Sequence, residues 1–144
     1  MNHYSIINYE SRYFDKLNSF WQDTGLGGSH RGDTAQTIID TVSAGGHMLL
    51  MIDNNDEIIG SSWLTNDKRR TYLHHFGIRA DCRRQGLARI LLEKSLELAR
   101  HDGFQIKLEV HRDNEAALAL YNKYGFGELG KYEVLIMRDI NSIS

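Results

Sequence analysis

The stretch that decides the fold reads Ile78-Arg79-Ala80-Asp81-Cys82-Arg83-Arg84-Gln85-Gly86-Leu87-Ala88. The run that ends at Ile78 predicts a strand, the arginine-rich residues predict a turn, and a helix is predicted to open on Gly86. The first turn of a helix presents unpaired backbone N–H groups and the positive end of the helix dipole, which together favour an anion. Small residues at Gly86 and Ala88 leave space for a phosphate to approach the backbone. The stretch therefore predicts a phosphate-binding turn between a strand and a helix.

The segments on either side of this stretch alternate between strand and helix patterns. Before it, strands are predicted over residues 5–7, 48–52, 57–64 and 71–78, and helices over residues 10–21 and from Asp33 or Thr34 to Ala44. After it, helices are predicted over residues 86–100 and 114–124, and strands over residues 106–110 and 134–137, the last paired with residues 126–129. The order predicts one α/β domain over residues 1–144, an α+β mixed sheet with helices on both faces.

Composition excludes several classes of protein. The chain has 144 residues, of which 41% are hydrophobic and 25% charged, and this balance is typical of a globular domain. A net charge of -2 disfavours a nucleic-acid partner held by bulk electrostatics. No apolar run is long enough to cross a membrane, and no secretory leader is recognisable, so the cytoplasm is the expected location. One cysteine and seven histidines without metal-ligand spacing predict neither a disulfide nor a metal site.

Two motifs in register resemble one known family. The pattern Arg83-x-x-Gly86-x-Ala88 resembles the acetyl-CoA signature of the GNAT superfamily of N-acetyltransferases. The later residues are similar to the second coenzyme-binding block of that family and fall at its spacing: Leu108-Glu109-Val110, Asn114, Ala116-Ala117, Leu120-Tyr121 and Tyr124-Gly125-Phe126. The resemblance implies a GNAT-like acyl-CoA N-acyltransferase fold, acetyl-CoA as the co-substrate, and direct attack of an amine on its acetyl group.

The resemblance also implies which residues bind the coenzyme. Those at the phosphate turn are Arg83, Arg84, Gln85, Gly86, Leu87, Ala88 and Arg89. Asn114 is expected both to cap the following helix and to bind the pantetheine arm. In this family two central parallel strands splay apart, and the backbone N–H groups of Phe76, Gly77 and Ile78 are expected to hold the oxyanion at that point.

Acetylation of an amine needs a base and a proton for the leaving sulfur, because an amine with a pKa of ~10 is mostly protonated at neutral pH. Tyr121 lies where the family places a tyrosine that donates to the coenzyme A sulfur. Glu109 aligns with a glutamate thought to be the base in the branch that acetylates ribosomal-protein N-termini. His74 matches the catalytic histidine of serotonin N-acetyltransferases. Strand alternation puts His74 on the side of Phe76 and Ile78, and His75 on the other.

Two function classes fit these motifs, an N-acetyltransferase and a non-catalytic acyl-CoA-binding module that regulates a partner. Only the enzyme needs Tyr121 and a base, so their presence favours the enzyme. The glycine-rich loop over residues 24–32 lies where the family forms one wall of the acceptor site. The acceptor stays open among a peptide N-terminus, a lysine and a small amine. No nucleic-acid or membrane partner is expected, and a homodimer is left open.

Overall fold

The computed structural model describes residues 3–142. A first compact unit ends at Glu109, and a second begins at Val110. The first unit contains five strands, β1 (Tyr4–Asn8), β2 (His47–Asp53), β3 (Ile58–Asn66), β4 (Arg70–Ile78) and β5 (Gln105–Leu108). Its helices are α1 (Phe14–Thr24), α2 (Ala35–Ser43) and α3 (Leu87–Asp102), and the second unit contains α4 (Glu115–Lys123). Short 3-10 turns cover Ser11–Tyr13, Ser29–Arg31, Ala80–Cys82 and Ile140–Ser142. In the part of the chain that is described, no helix is long and apolar enough to cross a membrane.

The five strands form one mixed sheet in the order β1-β2-β3-β4-β5. The first four pair antiparallel in chain order, and β5 joins β4 in parallel across the α3 connection. The pairing between β4 and β5 runs only from Arg70 and Gln105 to Leu73 and Leu108. Beyond Leu73, β4 continues for five residues that have no partner on β5. The two parallel strands therefore part at Leu73 and Leu108.

Hydrophobic side chains cover both faces of this sheet. On the face that carries α1 and α2, Leu17, Trp21 and Ile38 pack with Leu50 and Trp63 of the strands. On the opposite face, α3 buries a second cluster against the strands, made of Leu49, Met51, Ile59, Ile78, Leu87 and Leu91. Neighbouring residues of β2 alternate between the two clusters, as the period of a strand requires. The predicted mixed sheet with helices on both faces is confirmed.

A β-bulge interrupts β4 just beyond the point where it parts from β5. Trp63 of β3 pairs with His74, whereas Ser61 pairs with Gly77, so β4 contains one residue more than β3 across this interval. His75 lies within the bulge and has a positive φ of 47°. The buried Ser61 hydroxyl donates a 2.6 Å hydrogen bond to the His75 carbonyl and accepts one of 3.0 Å from the Trp21 indole N–H. These two bonds hold the bulge in place.

The bulge overturns the predicted orientation of the two histidines. Because His74 pairs directly with Trp63, it points to the face of α1 and α2. The ring centroid of His75 lies 5.5 Å from that of Trp63, so His75 is on this face as well. Phe76 and Ile78 pack in the cluster under α3. The prediction that His74 shares a side with Phe76 and Ile78 while His75 faces away was wrong, because the extra residue shifts the alternation.

The second unit begins with a turn that leads into α4. Asn114 caps this helix, since its side-chain oxygen accepts a 3.2 Å hydrogen bond from the backbone N–H of Ala117. Residues 126–129 and 134–137, which the sequence predicts as paired strands, form no strand. Val134 and Leu135 are exposed, and so are their neighbours. This prediction was wrong because a strand requires a partner for its backbone groups as well as an apolar pattern.

Candidate active site

The phosphate-binding turn has the local geometry that the sequence predicts. The chain leaves β4 at Ile78, passes through the turn Ala80–Cys82, and enters α3 after Gly86. Gly86 has a φ of 77°, and a side chain there would extend into open space. No side chain of the described residues caps this helix end. The first N–H groups of α3 therefore have no intrahelical acceptor and no capping side chain, which suits a bound phosphate.

The predicted coenzyme-binding side chains around this turn divide into three groups. Arg83, Arg84 and Gln85 are exposed beside the helix end, and the Arg83 Nε–H donates a 3.1 Å hydrogen bond to the Ile78 carbonyl. Arg89, in the first turn of α3, is paired with Glu93 at 3.1 Å. Leu87 is buried in the cluster under α3 and Ala88 packs against that cluster, so both offer a ligand mainly their backbone.

Beyond Leu73 and Leu108, β4 and β5 are no longer paired, and we call this unpaired region the gap. Its β4 side comes directly before the turn in the sequence. Gly77 and Ile78 pair with β3 on one side, and no residue of β5 pairs with them on the other. Parallel strands that part in this way leave main-chain groups available to a ligand. That backbone N–H groups from Phe76 to Ile78 hold an oxyanion stays a prediction.

His74 lies on the other face of β4 at the start of the gap. Its Nε2 atom is 2.9 Å from the Thr65 hydroxyl, and its ring is flanked by the rings of Tyr72 and Trp63. The side chain keeps some solvent contact, yet this packing lowers the His74 pKa from its ordinary value, and neighbouring His75 lowers it further. Glu109 acts in the opposite direction on the same pKa. A lowered pKa keeps this imidazole neutral at pH 7, which is the form that a base requires.

Sequence reasoning missed a second histidine beside this one. The Nε2 atom of His75 is 2.7 Å from the Asp33 carboxylate, and the two side chains are only 21% and 16% exposed. The same carboxylate oxygen accepts a 2.9 Å hydrogen bond from the backbone N–H of Gly28. The pair joins β4 to the loop that the sequence associates with the acceptor. Asp33 and His75 are 42 positions apart, so no local pattern could have revealed the contact.

The remaining predicted residues are Glu109 on the first unit and two residues on the second. Glu109 follows the last residue of β5 and is exposed at the edge of the gap. On the second unit, Tyr121 is buried and its ring contacts Phe126 at a centroid distance of 5.5 Å. Burial raises the pKa of Tyr121 to about 12, so its phenol is protonated at any physiological pH. Asn114 lies at the first turn of the same helix and is exposed.

No metal-binding cluster is found within residues 3–142. In this range no three histidine, cysteine, aspartate or glutamate side chains lie together so that they could hold a metal ion. His75 contacts Asp33, and His74 contacts the Thr65 hydroxyl. Such groups can take part in acid–base chemistry and hydrogen bonding.

Comparison with known proteins gives one consistent result. The family model described as "Acetyltransferase (GNAT) family" matches residues 12–126. A mycothiol acetyltransferase of Jonesia denitrificans is 29% identical over 60% of this chain, and an N-alpha-acetyltransferase RimI of Mycobacterium tuberculosis is 41% identical over 40% of it. The matched regions span 28% and 35% of those relatives. A solved Trypanosoma brucei acetyltransferase covers 94% of this chain and all of its own length, with 18% identity and a TM-score of 0.75.

The two kinds of match agree with the geometry. The structural likeness shows the mixed-sheet fold, in which β4 and β5 part beside the start of α3. The family model covers β4, the phosphate-binding turn, β5 and α4 without interruption. The chain therefore belongs to the GNAT acetyltransferase family.

Proposed function

We propose that this chain is an N-acetyltransferase that moves the acetyl group of acetyl-CoA to an amine. The observation that carries the proposal is the parting of β4 and β5 at Leu73 and Leu108, together with the uncapped start of α3, which follows β4 after one short turn. Such an arrangement supplies an anion site and a set of backbone donors on one side of the sheet. The family match over residues 12–126, which includes parts of both units, supports the view that the chain works as one acetyltransferase domain.

The residues of the phosphate-binding turn fit the coenzyme. The open space over Gly86 admits a phosphate to the backbone, and Arg83 and Arg84 supply positive charge beside it. In the proposed reaction, N–H groups between Phe76 and Ile78 stabilise the oxygen of the thioester as the amine attacks. Asn114 binds the pantetheine arm, as the family resemblance implies.

A proton transfer and a hydrogen bond complete the proposed reaction. The amine loses a proton to a base, for which His74 and Glu109 are the sequence-based candidates. The Tyr121 hydroxyl donates a hydrogen bond to the sulfur as the carbon–sulfur bond breaks. Its raised pKa keeps the phenol protonated throughout the range in which amines are acetylated.

The test is a direct assay of the purified chain with acetyl-CoA. Release of free thiol is followed with an alanine-terminated peptide, a lysine peptide, a polyamine and an aminoglycoside, and mass spectrometry identifies the acetylated product. Calorimetry measures acetyl-CoA binding in parallel. We expect binding together with acetylation of at least one acceptor class. Binding without release for any acceptor would indicate a regulatory acyl-CoA-binding module, and absence of binding would contradict the proposal.

A further inference from the structure

The Asp33–His75 pair is held in a fixed arrangement. His75 adopts a positive φ of 47°, which is uncommon for a residue with a Cβ. The buried hydroxyl of Ser61 and the indole of Trp21 hold that conformation through two hydrogen bonds. The result is an imidazole whose backbone, ring and partner are all fixed.

The carboxylate determines the tautomer of this imidazole. Asp33 Oδ2 faces the His75 Nε2 atom at 2.7 Å and also accepts from the Gly28 N–H. An ionised carboxylate only accepts hydrogen bonds, so neutral His75 carries its proton on Nε2. The lone pair is then on Nδ1, for which residues 3–142 provide no hydrogen-bond donor.

The His75 side chain remains 21% exposed, and the neighbour whose position against the ring atoms is known lies on the Nε2 side. This neighbour is Gly27, since a Cβ at its position would come within 2.5 Å of Nε2 and 3.0 Å of Cδ2. Trp21 and Trp63 contact the ring edge-on, with centroid distances of 4.9 Å and 5.5 Å. The titratable groups facing the ring are Asp33 from the loop before α2 and His74 from β4 itself.

The position of His75 on β4 matches the need of the reaction. It lies two residues beyond Leu73, where β4 and β5 part, and directly before the Phe76–Ile78 segment proposed to hold the oxyanion. His74 is less suited as a base, because the partner of its Nε2 is the neutral Thr65 hydroxyl, which does not stabilise an imidazolium as a carboxylate does. Glu109 is exposed beyond the end of β5.

We propose that His75, oriented by Asp33, is the catalytic base that takes a proton from the acceptor amine; this rests on the proposed N-acetyltransferase function. One proton of the ammonium passes to His75 Nδ1, and the neutral amine attacks the thioester carbonyl carbon. The nitrogen–carbon bond forms, the carbon–sulfur bond breaks, and the sulfur leaves as a thiolate. The second proton of the nitrogen, lost as the amide forms, balances the proton that the thiolate takes up. Asp33 stabilises the imidazolium, which afterwards returns its proton to solvent.

Two variants test this assignment in the full chain. In His75→Gly the ring is removed while glycine accepts the positive φ without strain. We expect kcat to fall by a factor of ~10²–10⁴ with little change in the KM for acetyl-CoA. Added imidazole should then raise the kcat of this variant at least tenfold. In Asp33→Asn, which keeps the size of the side chain, we expect kcat to fall at least ~10-fold because the imidazolium loses its counter-charge.

The chain contains a matched control pair. His47 and Asp102 form the same kind of contact at 2.8 Å with similar exposure, but they lie at the start of β2 and the end of α3. We expect His47→Gln and Asp102→Asn to keep wild-type kcat. Nitrogen-15 spectra of the wild-type chain supply a readout independent of the variants, and should show His75 protonated at Nε2 and not at Nδ1.

The outcomes separate this inference from the function on which it rests. A wild-type chain that acetylates no amine refutes the proposed function. An active wild type whose His75→Gly variant keeps its rate, or is not rescued by imidazole, refutes only the base assignment. The same conclusion follows if the spectra show the Nδ1-protonated tautomer. Loss of activity confined to His74→Gln or Glu109→Gln would assign the base to that residue instead.

Discussion

Removal of the Tyr121 hydroxyl tests whether the leaving sulfur receives a proton or a hydrogen bond from this residue. Burial raises the pKa of Tyr121 to about 12, whereas a free thiol has a pKa of ~8.5. Complete proton transfer from this phenol to a thiolate is therefore uphill by about 3.5 pKa units, or roughly 5 kcal/mol. A hydrogen bond from the phenol to the developing thiolate requires no such transfer. We therefore expect Tyr121 to act as a hydrogen-bond donor that keeps its proton.

This role fixes the size of the expected effect. A hydrogen bond to a charged group contributes roughly 1.5–3 kcal/mol, which corresponds to a rate factor of about 10–150. Tyr121→Phe keeps the ring and its contact with Phe126, so kcat should fall by that factor while acetyl-CoA affinity stays nearly constant. Acyl donors with a more acidic leaving thiol should be affected less.

The assay measures steady-state thiol release by the variant and by a control. Each is assayed with acetyl-CoA and with an acyl donor that has a better leaving group. Tyr132→Phe is the matched control, because Tyr132 belongs to the same unit and is 81% exposed. A Tyr121→Phe variant with wild-type turnover would show that the tyrosine only packs. A loss beyond about 10³ would refute the hydrogen-bond role and indicate full general-acid catalysis.

Two further substitutions test the anion site and the bulge. Gly86→Val should weaken acetyl-CoA binding at least tenfold in calorimetry, because a branched side chain fills the open space over the helix end. Gly103→Val is the control: it introduces the same positive-φ strain at the other end of α3, and its affinity for acetyl-CoA should be normal. Equal affinities in the two variants would remove the basis for this site. Ser61→Ala orphans the Trp21 N–H and should lower the free energy of unfolding by about 1–3 kcal/mol in urea titrations. Ser62→Ala should cost less, since its partner Ser95 still donates to the Leu91 carbonyl; a loss as large as that of Ser61→Ala would contradict this reasoning.

Local patterns predicted most of the fold. The helix at residues 87–102 and the hairpin strands followed from hydrophobic period, and the turn before that helix followed from the placement of Gly86 and Ala88. The Thr34 cap was also predictable, because a hydroxyl before a helix satisfies an N–H three residues on, here that of Thr37. These features depend on neighbours in the sequence, which is why the sequence alone revealed them.

What the sequence could not predict depends on distant contacts. The bulge at His75 is held by Ser61 and Trp21, which lie 14 and 54 positions earlier in the chain, and nothing adjacent to His75 signals it. The pairing of Asp33 with His75 is equally remote. The strand predicted at residues 134–137 failed for the converse reason, since an apolar pattern is not sufficient when no strand pairs with it.

Because of the extra residue in β4, the even-numbered residues face one side of the sheet before the bulge and the other side after it. Before the bulge, even-numbered positions such as Tyr72 and His74 share the side of Trp63; after it, Phe76 and Ile78 lie on the side of α3. Gly77 now occupies the first side, where a Cβ would meet Leu26 at 2.9 Å. Tolerance to substitution along this strand should therefore change phase at His75. An alignment or a design that omits one residue between Leu73 and Phe76 would turn half of the strand over and exchange the residues on the two faces of the sheet.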